Sequence, residues 1–423
     1  MRKVTLVRGA RQLLTLHGPV GARRGADLRN LGIIPDGAVL IVDGHIEDVG
    51  SSRRVENLAL ARQANEIDAT GRVVMPGLVD SHTHLVSGPA RVQDFEMLLA
   101  GASPREIAHG GGGTRAIART ISELSPRALE AQVRSLVEDA VRHGTTTLEA
   151  KSGFGFTDKG EIKILRVHAA IGREFPIIST FLNGRTIGNN GSQTGHFVDW
   201  VCSRMLPFLK QRRLAEFVDT RCEDGGFNLD QATRYLNAAR QLGFGLKVHA
   251  GPRSHPGAVH VAVKTGATSI DNLLSVTRED VALLGQSRTI ATLLPGPSFF
   301  LDLDNYPPAR LLIDGGAAVA IASGYSPESC PSLNMQMMVA LACRKMRMTP
   351  AEALSAATIN SAHALGRGQQ TGSIEKGKSA DLVIFTVPDY REIPYHFGVN
   401  LIDVVLQRGN VLVERSEIKW PAN

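Results

Sequence analysis

Through the middle of the chain, short apolar runs alternate with longer stretches in which apolar residues recur every three or four positions. The first pattern suits buried strands and the second amphipathic helices. Strand candidates begin at Val73, Thr145, Pro176, Phe217, Gly245, Thr268, Ile290 and Ala317. Helical stretches separate most of them, among them Pro126 to His143, Leu229 to Leu242 and Glu279 to Leu284, and Gly144 and Gly243 stand where helices should stop. Eight strand–helix units over roughly 250 residues favour a closed (β/α)₈ TIM barrel of the α/β class over an open doubly wound sheet. The open sheet would also want a G-x-G-x-x-G run after a strand. Gly110 to Gly113 has no strand before it, so a phosphate cradle is not expected there.

The two ends read differently from the middle. Ala38 to Val42, the Asp43-Gly44 turn and Ile46 to Val49 form a hairpin signal, and strand-like runs return at Ala380 to Phe385, Asp403 to Leu406 and Asn410 to Glu414. Both termini therefore predict one small β-sandwich flanking the barrel, with the chain divided into 1–73, 74–368 and 369–423.

Composition changes this picture little. Hydrophobic content of 43% and charged content of 21% fit an ordinary globular protein. The net charge of +6 is scattered, and no basic run is interleaved with aromatics, so nucleic acid is not an expected partner. Met1-Arg2-Lys3-Val4 leads into a strand rather than a signal-peptide core, and no apolar run reaches the roughly 18 residues of a membrane span. Cys202, Cys222, Cys330 and Cys343 form neither a C-x-x-C pair nor a disulfide-scaffold spacing. A cytoplasmic protein with no membrane partner is the expectation.

Candidate chemistry gathers at strand ends. His82 and His84 close the run Pro76-Gly77-Leu78-Val79-Asp80-Ser81-His82-Thr83-His84, and residues two apart on a strand project to one side, here into the barrel mouth. His249 ends Gly245-Leu246-Lys247-Val248-His249, at the strand tip where barrel ligands belong. Neutral imidazoles so placed suit a zinc- or iron-type site. An isolated H-x-H is common in polar loops and a lone strand-end histidine is usually a satisfied core residue. Their joint placement at strand ends favours one divalent metal, Zn or Fe.

With these residues the chain resembles the amidohydrolase superfamily, and within it the imidazolonepropionase family. Supporting motifs follow in order: Arg91 with Phe95-Glu96, Gly111 to Gly113, Thr146 to Gly153, Thr180 to Leu182, Cys222-Glu223, Leu294 to Gly296, Gly372 to Lys378 and Phe397 to Asn400. The resemblance implies a barrel with a β-sandwich from both termini, one divalent metal and a homodimer. It also implies a place in histidine metabolism, with hydrolytic opening of 4-imidazolone-5-propanoate to N-formimidoyl-L-glutamate. Around that small, anionic, cyclic substrate it implies Arg91, Phe154, Arg185, Ser326 and Ser329.

The chain departs from the family pattern at the site. Gly324 holds the place of the aspartate that ligates the metal after the eighth strand, and no Asp or Glu lies between Asp314 and Glu328. Pro252 replaces an acid–base side chain, Asn272 in Asp271-Asn272 replaces a histidine, Arg185 another, and Phe154 and Pro104 replace tyrosines. Glu328, which aligns with a family glycine, is the nearest acidic substitute, with Asp271, Glu149 and Glu223 as further rim candidates and Asn272 beside them. Losses confined to the site while scaffold motifs persist point to a hydrolase of a cyclic amide that has diverged in substrate. The alternatives are an inactive paralogue that binds a small anion, or an isomerase, lyase or cyclase on the same barrel.

Overall fold

The computed structural model describes residues 2–183, 194–222, 226–251 and 254–414. Eight parallel strands run in chain order around one sheet: Leu78–Asp80, Thr145–Lys151, Ile177–Asn183, Phe217–Arg221, Gly245–Ala250, Ser269–Asn272, Ile290–Leu293 and Val319–Ile321. Backbone contacts between the first and last strand regions close the ring: Gly324 N–H donates to His82 O at 3.1 Å and His84 N–H to Tyr325 O at 2.9 Å. The barrel expected from the alternation is therefore present.

Outward residues of these strands, among them Leu148, Ala150, Val218, Leu246, Val248 and Ile270, join the main apolar core under the surrounding helices. The helices follow their local signals. Ser125 caps Pro126–Arg142 by accepting from Ala128 N–H, and Gly144 with φ +93 ends that turn. Leu229–Gln241 starts from an Asn228/Gln231 capping box, and Arg278–Gln286 covers the third expected helix.

The terminal unit is one further eight-stranded sheet assembled from both ends of the chain. Its hairpin joins Ile33–Val42 to His45–Ser51 through Asp43 (φ 47) and Gly44 (φ 83), the left-handed pair that a two-residue turn demands. Strand Leu382–Phe385 is buried throughout because both faces are covered: Leu382 and Ile384 pack within the terminal unit, Val383 and Phe385 against the barrel core.

One expected strand start is corrected. Val73 does not open the barrel; Val73–Pro76 pairs with Leu382–Phe385 in the terminal sheet, and the barrel begins at Leu78. Gly77 makes the change of sheet, where its backbone lies so close to Thr146 that a Cβ would collide with that side chain.

Candidate active site

The same alternation that turns apolar residues outward turns polar ones into the barrel. Glu149 and Lys151, Asp219, Lys247, and Asp271 with Ser269 come from four strands and meet in a fully buried cluster. Lys151 Nζ lies 2.7 Å from Asp219, 3.1 Å from Asp271 and 3.2 Å from Glu149, and Lys247 Nζ lies 3.2 Å from Glu149. Burial alone would push Asp271 upward, but the Lys247 and Lys151 ammonium groups and His82 hold it well below the usual carboxylate range. Burial wins at Asp219, whose carboxyl is raised.

Above this cluster, His82 Nδ1–H donates to Asp271 Oδ2 at 2.7 Å. That bond fixes the tautomer and leaves Nε2 as a lone-pair donor, the arrangement of a metal-ligating histidine. His82 and His249 rings lie 5.3 Å apart between centroids, and His82 and His84 5.8 Å. Burial, and then the neighbouring Lys151 for His82 and Arg221 for His249, lowers both imidazoles below their ordinary value, so both are neutral at pH 7. His249 Nδ1 is buried with no hydrogen-bond partner among the described residues. A neutral imidazole with an unsatisfied nitrogen, on the wall of a cavity shared with two further imidazoles, fits a metal ligand. Ligand atoms of His82, Glu149 and Asp271 also lie within 4.8 Å of one another, a donor set of the kind divalent metals take. Two ammonium groups already compensate those carboxylates, whereas the imidazoles face open space.

That space is a cavity of about 170 Å³ at the C-terminal ends of the strands. His82, His84, His249, Asn272, Ser326, Glu328 and Ser329 all border it, so most residues singled out from the sequence converge. Thr114 Oγ1 donates to Glu328 at 2.8 Å and 3.2 Å, tying the segment after the eighth strand to the helix Gly113–Glu123. Phe154 is buried edge-on to His84, with centroids 5.0 Å apart. Asn272 sits at the strand end with φ 85.

Other expected positions fall elsewhere. Asp271 lies beneath the cavity as the partner of His82, not on its wall. Glu149 is no rim residue: it is fully buried between Lys151, Lys247 and the Thr180 hydroxyl. Arg91 does not border the cavity; its guanidinium grips Asp94 through two bonds of 2.9 Å and 3.0 Å, and Asp94 in turn accepts from Gly113 N–H. Arg185, Glu223 and Pro252 lie outside the described residues.

At Gly324 the backbone has φ +68, and a Cβ there would lie 2.9 Å from Pro297 Cγ. The position expected to carry a ligating aspartate is thus shaped for glycine. Asp80, two residues before His82, accepts from the Ser323 hydroxyl and N–H, and burial pushes its carboxyl up to about 7 against the opposing effect of those bonds. Arg221, at the tip of the fourth strand and on the cavity wall, was missed from sequence, as were Thr114 and the paired lysines. A two-residue spacing was the signal for several of them: Glu149/Lys151, Asp219/Arg221 and Lys247/His249 repeat the His82/His84 pattern on neighbouring strands.

Two models described as amidohydrolase family match residues 65–109 and 300–412. The chain is 38% identical to an imidazolonepropionase of Bacillus cytotoxicus, over 97% of this chain and 96% of that one. Against an imidazolonepropionase of Alkaliphilus metalliredigens the identity is 37%, over 98% and 99%. Among solved structures, a triazine hydrolase variant superposes with a TM-score of 0.76 at 19% identity, covering 97% of this chain and 95% of that one. Guanine deaminase of E. coli gives 0.72 at 13% identity, over 98% and 100%. A zinc-bound adenosine deaminase from Xanthomonas campestris gives 0.70 at 18%, over 97% and 93%.

Proposed function

The chain belongs to the imidazolonepropionase family of amidohydrolases, and from that premise we propose a site-level reading of its activity. It is a metal-dependent amidohydrolase of imidazolonepropionase type. Its reaction is hydrolysis of a carbon–nitrogen bond in a small cyclic amide, related to 4-imidazolone-5-propanoate but diverged from it where the wall of the cavity has changed. The comparisons favour neither the inactive nor the non-hydrolytic alternative.

His82, His84 and His249 are the residues that would hold one divalent metal, zinc or iron. When bound, the metal supplies Lewis-acid polarisation at the barrel mouth. The observation that carries this reading is the pair of nitrogens left for it: His82 presents Nε2 because Asp271 holds Nδ1, and His249 carries a buried, unsatisfied Nδ1. Glu328 is the carboxylate positioned by Thr114 to take a proton from the attacking water and return it to the leaving nitrogen. Asn272, Ser326 and Ser329 offer hydrogen bonds to the polar edge of the ring. Phe154 packs His84 in place. Arg185 stays with the substrate-binding proposals. A homodimer is the assembly that the family resemblance implies.

Elemental analysis of the purified protein, together with the variants H82A and H249A, tests the metal assignment. One divalent ion per chain in the parent and little in either variant is expected, with ring-opening activity lost in step. A folded parent that takes up neither zinc nor iron(II) and hydrolyses no cyclic amide would sink the reading.

A further inference from the structure

The loop that leaves the second barrel strand, Thr145–Lys151, carries Phe154 to the edge of His84. Its first residue is anchored to the neighbouring strand. Ser152 N–H donates to Thr180 O at 2.9 Å, and Leu182 N–H donates to Ser152 Oγ at 3.2 Å. Beyond Ser152 the backbone turns twice through the left-handed region within four residues, at Gly153 (φ 109) and Phe156 (φ 54). Between them Gly155 passes so close to the first turn of the helix Asp158–Ile171 that a Cβ would collide with the Glu161 backbone.

A single carboxylate then holds the loop. Glu161, buried on that first turn, accepts from Gly153 N–H at 2.8 Å through Oε2 and from Gly155 N–H at 2.7 Å through Oε1. The two bonds flank Phe154, so the carboxylate clasps the backbone on either side of the ring that meets His84. Burial pushes the Glu161 carboxyl up, and bonds from Ser152, Gly153, Gly155 and Phe156 oppose that push. A carboxylate is costly to bury unless such bonds form, which ties the shape of the loop to this residue. Phe154 itself is buried, its ring 5.0 Å from that of His84 and inclined at 67°. A close-packed ring in that position leaves the imidazole little freedom to rotate.

We propose that Glu161 is a positioning residue for the histidine site: it fixes Phe154 from both sides, and Phe154 sets the orientation of His84. The assignment rests on the metal-dependent reading above and extends it to a residue that does not border the cavity. Glutamine cannot replace the carboxylate here, because its NH₂ would face one of the two N–H donors. Aspartate is one methylene too short to span both.

Zinc binding to the full-length protein, measured by competition with a chelator, tests the role. E161Q and F154A should each weaken zinc binding about tenfold. E161Q/F154A should lose little beyond either alone, since Glu161 acts through Phe154. E352Q disturbs another buried carboxylate, the one that ties Arg29 and Arg310. It should lower the melting temperature and leave zinc affinity unchanged. In NMR spectra of the zinc-free protein, the carbon-bound ring protons of His84 should shift in E161Q as the Phe154 ring moves. Those of His363, in the helix Ser361–Ala364, should stay in place. Should E161Q not fold, E161D serves the same comparisons. An E161Q protein with a lowered melting temperature but parental zinc affinity and parental His84 signals would reduce Glu161 to a structural residue. Losses that multiply in the double variant would put its effect on another route. Either result overturns the assignment, as does an equal loss of zinc affinity in E352Q. A parent that binds no zinc would remove the metal reading alone, and the His84 signals would then decide the positioning role.

Discussion

At the scale of single residues, burial decides what each titratable group can do. His168 is the clearest case outside the cavity. It lies fully buried in the helix Asp158–Ile171, with Nδ1 3.1 Å from Ser179 Oγ and Nε2 without a partner among the described residues. Burial lowers its imidazole to about 3. The unfolded chain, where a histidine titrates near 6.5, therefore binds a proton that the native protein refuses. Stability from this group is fully present above about pH 6.5 and falls as the pH drops toward 3, by about 1.4 kcal/mol per pH unit in between. His82 and His249 act with the same sign. Replacing His168 by leucine should flatten the loss of stability between pH 7.5 and 5.5 relative to the parent, read as the change in urea midpoint at each pH. Equal slopes for the two proteins would show that His168 is not the buried neutral group described. The histidines of the cavity were legible in sequence because H-x-H at a strand end has a geometric meaning. His168 was not, since a histidine within a helix carries no signal of its burial.

At the scale of elements, strand ends and the turns after them set the site, and Gly324 shows how the backbone constrains it. The segment leaving the eighth strand must pass Pro297 on the neighbouring helix Pro295–Phe300, and it does so with φ +68. An aspartate introduced there would meet both the left-handed backbone and the proline ring. Such strain costs about 1–3 kcal/mol. G324D alone should therefore lower the melting temperature without tightening metal binding, and adding P297A should recover only the part due to the clash. Thermal melts with chelator competition measure both; a G324D protein as stable as the parent and binding metal more tightly would show that the loop readily accepts a carboxylate ligand. Sequence made the absence of the carboxylate visible but not the reason that it cannot simply be restored. The reason lies in φ and in a contact 27 residues distant, Pro297 to Gly324. The same limit explains Val73: an apolar run continuous through Gly77 reads as one strand, although its halves join different sheets.

At the scale of the whole molecule, the barrel is held apart and held together by the same charged interior. Periodicity made its eight strands legible because their outward faces are apolar, yet it gave no pairing for the inward residues. Glu149, Lys151, Asp219, Lys247 and Asp271 are spread over more than a hundred positions and meet only on closure of the ring. Their ion pairs link the second, fourth, fifth and sixth strands, and the His82–Asp271 bond adds the first. A buried pair of this kind adds little over a well-packed apolar substitute, but breaking one half of it leaves an uncompensated charge, at a cost of about 3–5 kcal/mol. K151M should thus destabilise strongly, because Asp219, Asp271 and Glu149 lose their shared ammonium. D219L should also destabilise, though less, since Lys151 keeps two carboxylates. In the double variant K151M/D219L the excess negative charge is smaller than in K151M, so the combined loss should fall short of the sum by about 0.5–3 kcal/mol. Urea midpoints of the four proteins close this cycle. Strict additivity would mean that the interior charges act independently, and the barrel would then owe its closure to its apolar shell and backbone ladder alone.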